Sequence, residues 1–135
     1  MRPLTLYIME SDNQVYNVPR LVSSFGDVVE TIIRVPDRNL AEAVKGCETE
    51  WYGYMYSNEF LSEEYVEALP IMLGNNGFDI EAWVLFEKRG EEGKETYGMS
   101  PRLFKRNIEL QGMLPLVSSK ERLQRSLDGF VVGVI

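Results

Sequence analysis

Apolar positions fall in short runs separated by polar or glycine-containing stretches, and their spacing alternates between strand and helix periods. Leu4-Thr5-Leu6-Tyr7-Ile8-Met9 is rich in strand formers and ends in the polar cluster Glu10 to Gln14, predicting a strand and then a loop. Val18, Leu21, Val22 and Phe25 recur at helical spacing, with Asn17 placed to cap, Pro19 in the first turn and Gly26-Asp27 as the stop. Val28 to Val35 is β-branched and nearly continuous, the pattern of a strand buried on both faces, and Pro36-Asp37 closes it. Asn39 is placed to cap a short helix over Leu40 to Lys45, which Gly46 ends in a left-handed conformation. Trp51 to Tyr56 reads as the third strand.

Ser62 then caps a helix whose first turn carries Glu63 and Glu64, where they complement the helix dipole. Pro70 is expected to bend or interrupt it before Ile71-Met72-Leu73 and the turn Gly74 to Gly77. Ile80 to Glu87 predicts a central, buried strand. The charged stretch Lys88 to Lys94 reads as a solvated hairpin tip returning into Glu95 to Met99. A strand around Leu103 to Arg106, a loop at Pro115, a short helix capped by Ser118 or Ser119 and a last strand from Phe130 to Ile135 complete the pattern. Strands alternating with helices predict an α/β fold: a three-layer sandwich with a mostly parallel sheet plus an antiparallel hairpin. A single domain over residues 1–135 is expected. In such sheets ligands bind at the carboxyl ends of the strands, which directs attention to the loops at 10–14, 36–39 and 56–59.

Composition narrows the chemistry. The chain has 135 residues, a net charge of −7 and no histidine, which removes imidazole general bases, Ser-His-Asp or Cys-His pairs and histidine-containing zinc sites. Its single cysteine, Cys47, forms no internal disulfide, so a reducing, cytoplasmic setting is expected. The acidic balance disfavours nucleic acid as a partner, and no apolar run reaches the length of a transmembrane segment. Met1-Arg2-Pro3 leads into a strand rather than a signal peptide.

The loops at the strand ends carry a resemblance. Thr5-Leu6-Tyr7-Ile8 followed by Asp12-Asn13, Phe25-Gly26-Asp27 before Val28 to Val35, Asp37, and Asn39 to Trp51 follow one another as in family 2 glycosyltransferases. Trp51 to Leu69 is similar to that family's hydrophobic strand, Asp-x-Asp motif and following helix, and Ser100-Pro101-Arg102-Leu103-Phe104-Lys105-Arg106 to its Pro-Arg-Leu-Phe-Arg-Arg segment. The resemblance implies a minimal GT-A (nucleotide-diphospho-sugar transferase) fold with a nucleotide-diphospho-sugar as ligand. In the family, Asp-x-Asp holds Mg²⁺ or Mn²⁺ against the diphosphate. Here the aligned residues are Tyr56, Ser57 and Asn58, with Glu59 next, so both aspartates are replaced.

On this reading Asn58 and Glu59 are the metal ligands of a weak Mg²⁺ or Mn²⁺ site. Asp12, Asp37, Ser57, Arg102 and Arg106 contact nucleotide or sugar, the arginines as diphosphate clamps. Asp79, or Glu81 beside it, serves as the carboxylate base that deprotonates an acceptor hydroxyl. Each has a structural alternative: polar turn residues at 56–59, turn carboxylates at Asp12 and Asp37, solvated charges at the rest. The aromatic set Trp51, Tyr52, Tyr54 and Tyr56 stacks on a ligand or packs a core.

Three functions stay open. One is a small glycosyltransferase-like protein moving a sugar to a glycan or other hydroxyl acceptor. Another is a catalytically inactive binding or structural module, an oligomer or a subunit completed by a partner chain. The third is an unrelated α/β domain such as a flavodoxin-like one, disfavoured because Glu10 to Gln14 contains no glycine.

Overall fold

The computed structural model describes residues 1–10, 18–74 and 80–133. Its elements are β1 (Leu4–Met9), α1 (Val18–Ser24), β2 (Val29–Val35), α2 (Leu40–Ala43), β3 (Trp51–Tyr56), β4 (Glu59–Leu61), α3 (Glu63–Leu73), β5 (Ala82–Arg89), β6 (Thr96–Lys105), β7 (Leu110–Gln111), β8 (Leu114–Pro115) and β9 (Leu123–Gly133). The cap expected at Asn17, the turn residues 75–77 and the last two residues of the final strand lie outside the described residues.

One sheet takes seven strands in the order β2-β1-β3-β6-β5-β9-β4, and β7 and β8 pair separately. The pairs β1–β2, β1–β3 and β5–β9 are parallel, and β3–β6, β5–β6 and β4–β9 antiparallel. This overturns the expected helix-flanked, three-layer sandwich of the minimal GT-A kind. Strands make up 45% of the structure and helices 26%, in a mixed sheet curled into half a barrel. The helices are too short to form two layers: α1 has 7 residues, α2 has 4, and the helix expected after Ser119 is a single 3-10 turn, Lys120–Arg122.

Chain connectivity forces the curl. β3 is third in the sheet and β4 seventh, yet only Ser57 and Asn58 join them. A flat sheet would hold these strands four spacings apart, about 19 Å. Three Cα steps span at most about 11 Å, so the far edge must bend back toward the end of β3.

Period-two alternation distributes the core over both faces. Leu4, Leu6 and Ile8 of β1, with Trp51 and Met55, face Leu21 of α1, Phe25 just after it, and Tyr65, Leu69 and Met72 of α3. Tyr7, Met9, Tyr52, Tyr54 and Phe104 face Leu40 of α2, Val44 and Ile108. The aromatic set is therefore core packing: Tyr52 and Phe104 rings lie 5.1 Å apart, and Tyr54 stacks with Phe104 at 6.4 Å. Gly53 permits this close layering, because a Cβ there would meet Leu103 Cδ2 at 2.7 Å and the Arg102 carbonyl oxygen at 2.9 Å.

Three local expectations need correction. β2 is not buried on both faces; it is the sheet's edge, with residues 30–34 exposed. A continuous β-branched run suits a two-sided core and an edge equally, and periodicity does not separate them. Gly46 does not take a left-handed conformation, because α2 tightens into a 3-10 turn over Val44–Gly46. Finally, α3 runs through Pro70 for 11 residues. Pro70 forfeits its own N–H, but Gly74 N–H donates to the Pro70 carbonyl at 3.0 Å. Two buried indoles cap the last carbonyls, Trp83 Nε1 donating to Met72 O and Trp51 Nε1 to Leu73 O, both at 3.0 Å.

Tyr65, on α3, joins β5 to β9 where their register shifts between Leu85 and Glu87. Its hydroxyl donates to Ser126 O at 2.7 Å and accepts from Phe86 N–H at 2.9 Å. Ser62 is the N-cap residue of α3 but makes no side-chain cap bond; its hydroxyl accepts instead from Phe130 N–H of β9 at 2.9 Å.

Candidate functional site

The carboxyl ends of the three parallel strands coincide, with Met9 paired to both Val35 and Tyr56. Ser57 N–H donates to Met9 O at 2.8 Å, which anchors the β3–β4 turn to the end of β1. Ser57 and Asn58 are buried, and Glu59, the first residue of β4, is wholly inaccessible. The loop singled out by sequence therefore turns inward.

Glu59 meets Arg102 of β6 in a bidentate pair, Nη1 to Oε1 and Nη2 to Oε2, each at 2.8 Å. Tyr56 N–H donates to Oε1 at 2.7 Å and Arg89 Nη2 to Oε2 at 2.6 Å. Each carboxylate oxygen thus accepts two hydrogen bonds, the full complement of an ionised glutamate. The guanidinium is equally occupied. Nε donates to Ser100 Oγ at 3.0 Å, Nη1 also to Tyr54 O at 3.4 Å, and Nη2 also to Glu87 Oε2. Its planar face covers the Tyr54 ring, with Cζ 4.6 Å from the centroid.

Two arginines and two glutamates make this cluster neutral, as burial demands. Burial alone would lower the Arg102 pKa, but the Glu59 charge and hydrogen bonds outweigh it and raise the value. For Glu87, burial pushes the carboxyl up, while Arg102, Ser100 and Arg89 together hold it below its ordinary value. Both groups stay charged near neutrality.

The other candidate residues scatter. Arg106 follows β6, whose Lys105 pairs with Trp51, so it stands at the amino end of β3, opposite Ser57 to Glu59, and donates to Glu48 O at 3.0 Å. Asp37 is a turn residue at the carboxyl end of β2; its Oδ1 accepts from Asn39 N–H at 3.0 Å. Glu81 accepts from both the backbone N–H and the hydroxyl of Ser118, at 2.8 and 2.9 Å. Asp12 and Asp79 lie outside the described residues. Of the named residues the structure gathers Ser57, Asn58, Glu59 and Arg102.

Sequence reasoning missed Glu87, which reads as the last residue of a buried strand, and Arg89, which reads as part of the solvated tip from Lys88. The available signal was alternation: Glu87 and Arg89 are two apart on β5, as Ser100 and Arg102 are on β6, so each pair shares a face.

A cleft of about 540 Å³ opens between α2 and residues 106–110, lined by Asn39, Glu42, Lys45, Cys47, Arg106 and Glu109 among others. Tyr7 is wholly buried and faces the Cys47 thiol; its hydroxyl makes no hydrogen bond of normal geometry, and burial pushes its pKa up to about 12.

No protein-family profile and no curated protein matches the chain. Among the described residues no three acidic or cysteine side chains converge as a cation site, and no helix is long and apolar enough to cross a membrane. With every lone pair of Glu59 taken, a cation at this loop would have to displace an arginine from a fully enclosed carboxylate.

Proposed function

We propose that the chain is a binding module without glycosyl-transfer chemistry, acting as one subunit of a larger assembly in the cytoplasm. The observation that carries this reading is the occupancy of Glu59, the carboxylate at the loop resembling a metal motif: it accepts four protein hydrogen bonds and reaches no solvent. A transferase that holds its nucleotide-sugar through a metal at that loop needs it open to a cation and a diphosphate.

A second reading draws on the coincident carboxyl ends of β1, β2 and β3, which bring the turn at Asp37 and the turn at Ser57 to one end of the sheet. There a nucleotide-diphospho-sugar would lie along Asp37 and Ser57, with Arg102 on the diphosphate and Mg²⁺ or Mn²⁺ on Asn58 and Glu59, once Arg102 had released Glu59. Sugar would then pass to a hydroxyl acceptor, the anomeric bond to the diphosphate breaking as the acceptor oxygen bonds and loses its proton, with the nucleoside diphosphate leaving.

Thermal unfolding with uridine- and guanosine-diphospho-sugars, with and without Mn²⁺, separates the two. A ligand at a hundred times its Kd stabilises a folded chain by about 2.7 kcal/mol, a shift of several degrees. The module reading expects no Mn²⁺-dependent shift. A shift that needs Mn²⁺ and vanishes in Asn58→Ala would replace it with the transferase reading.

A further inference from the structure

β2 is a seven-residue edge strand whose outer side has no neighbouring strand among the described residues. Ile32 and Ile33, on opposite faces, are 41% and 38% exposed. An edge this β-branched is a template for another strand, which proteins blunt with charges, proline or a bulge; β2 has one irregularity, at Glu30, where its register with β1 shifts, and it pairs regularly from Thr31 to Val35. Its charges here are Glu30 and Arg34, of opposite sign and equidistant from Ile32.

That spacing selects an occupant. In an antiparallel pair, residues directly opposite one another must orient their backbone groups alike, so a strand meeting its own copy does so about a central residue. Centred on Ile32, the stretch from Glu30 to Arg34 pairs, while Val29, before the register shift at Glu30, lies on the opposite face from Val35 and drops out. Ile32 faces itself, Thr31 faces Ile33, and Glu30 faces Arg34 twice by symmetry. Centred on Thr31 or Ile33, a charge lies against Ile32. We propose that a second copy of this chain pairs with the first through β2, antiparallel and centred on Ile32, joining two seven-stranded sheets into one.

Existing contacts do not oppose this. Arg34 reaches Glu10, with 49% of the Arg34 side chain exposed, and Glu30 accepts from Arg2 N–H at the surface. Exposed pairs of this kind contribute little and exchange readily. Cross-strand β-branched contacts and opposite charges supply the replacement. Pro36, lacking an N–H, cannot extend the ladder past the end of β2. The proposal rests on the assembly reading above and names its partner.

The test is the mass by sedimentation equilibrium from about 1 to about 100 µM, a range that brackets micromolar association. The full chain is expected to approach twice 15.5 kDa as concentration rises. Glu30→Arg sets like charges opposite each other at two symmetric places, as does Arg34→Glu, and each should weaken the dimer at least ~10-fold. The double variant Glu30→Arg/Arg34→Glu restores complementarity and should return within ~3-fold of the parent. Both positions are exposed, and far-ultraviolet circular dichroism confirms that each variant is folded. A chain monomeric throughout, leaving the edge to a strand of some other protein, overturns the proposal. So does a dimer indifferent to the single reversals, or one the double reversal fails to restore. Nucleotide binding is read separately, so a dimer without β2 and a Mn²⁺-dependent ligand shift refute different statements.

Discussion

Arg102→Met removes the guanidinium at the centre of the buried cluster. Glu59 keeps only Tyr56 N–H and Arg89, whose side chain is 38% exposed, and the cluster passes from neutral to a net charge of −1. Breaking one side of a buried ion pair typically costs ~3–5 kcal/mol, since the remaining charge keeps its desolvation penalty without its partner. A domain's total stability is about 5–15 kcal/mol, so this one change should remove a large share and lower Tm by about 10 °C or more. Glu59→Gln, leaving Arg102 in excess, should cost ~3 kcal/mol. The double variant is neutral again, and the amide oxygen introduced by Glu59→Gln can still accept from Tyr56 N–H, so its loss should fall at least ~2 kcal/mol short of the sum of the singles. Urea unfolding followed by the fluorescence of the buried Trp51 and Trp83 measures all three, with unchanged m-values as the sign that only stability moved. Additive losses, or an Arg102→Met cost below ~1 kcal/mol, would refute the claim that these charges are interdependent and dry.

Acid should act through Glu87. Its folded pKa lies below the ordinary 4.5, so its contribution is fully present above that value and is lost as pH falls from about 4.5 through the lower folded value. Glu87→Gln should flatten this portion of a stability-against-pH curve; an unchanged curve would count against the assignment. Tyr65→Phe leaves Phe86 N–H and the buried Ser126 carbonyl without their hydroxyl partner, and should cost ~1–3 kcal/mol in the same urea measurement with little change in circular dichroism.

The parts of this fold legible in the sequence are those set by local pattern. β1 and β3 appear where alternation and strand formers place them, and Asn39 caps α2 by accepting from Glu42 N–H. What escaped depends on distant partners. The run from Val29 to Val35 does not say whether it has neighbours on one side or two, and Pro70 does not say that Trp51 and Trp83 will cap the helix carrying it. The stretches around Glu95 to Met99 and Leu103 to Arg106 read as separate strands, although β6 carries Ser100-Pro101 between them in one strand. The break in β5–β6 register between Trp83 and Val84 lies beside that proline. At the candidate site, the sequence located the turn at Ser57 and Asn58. It did not reveal that Glu59 points into the curl of the sheet, because Arg102 is 43 residues away, Glu87 reads only as the end of a strand and Arg89 as part of a solvated tip.

The two-residue link between β3 and β4 also sets an order of events as the chain folds. β4 emerges directly after β3, but its strand partner is β9, and Ser62 waits for Phe130, 68 residues further on. Contacts of such separation are slow to form, because the loop's entropy is lost before the contact returns anything. Until β9 arrives, β4 is a short strand without a neighbour and Glu59 lacks the surroundings that keep it dry. Closing the half barrel is therefore a late step. The species preceding it leaves β4 and the outer side of β5 unpaired as well as β2, so it is the form in which this chain most needs protection from its own copies.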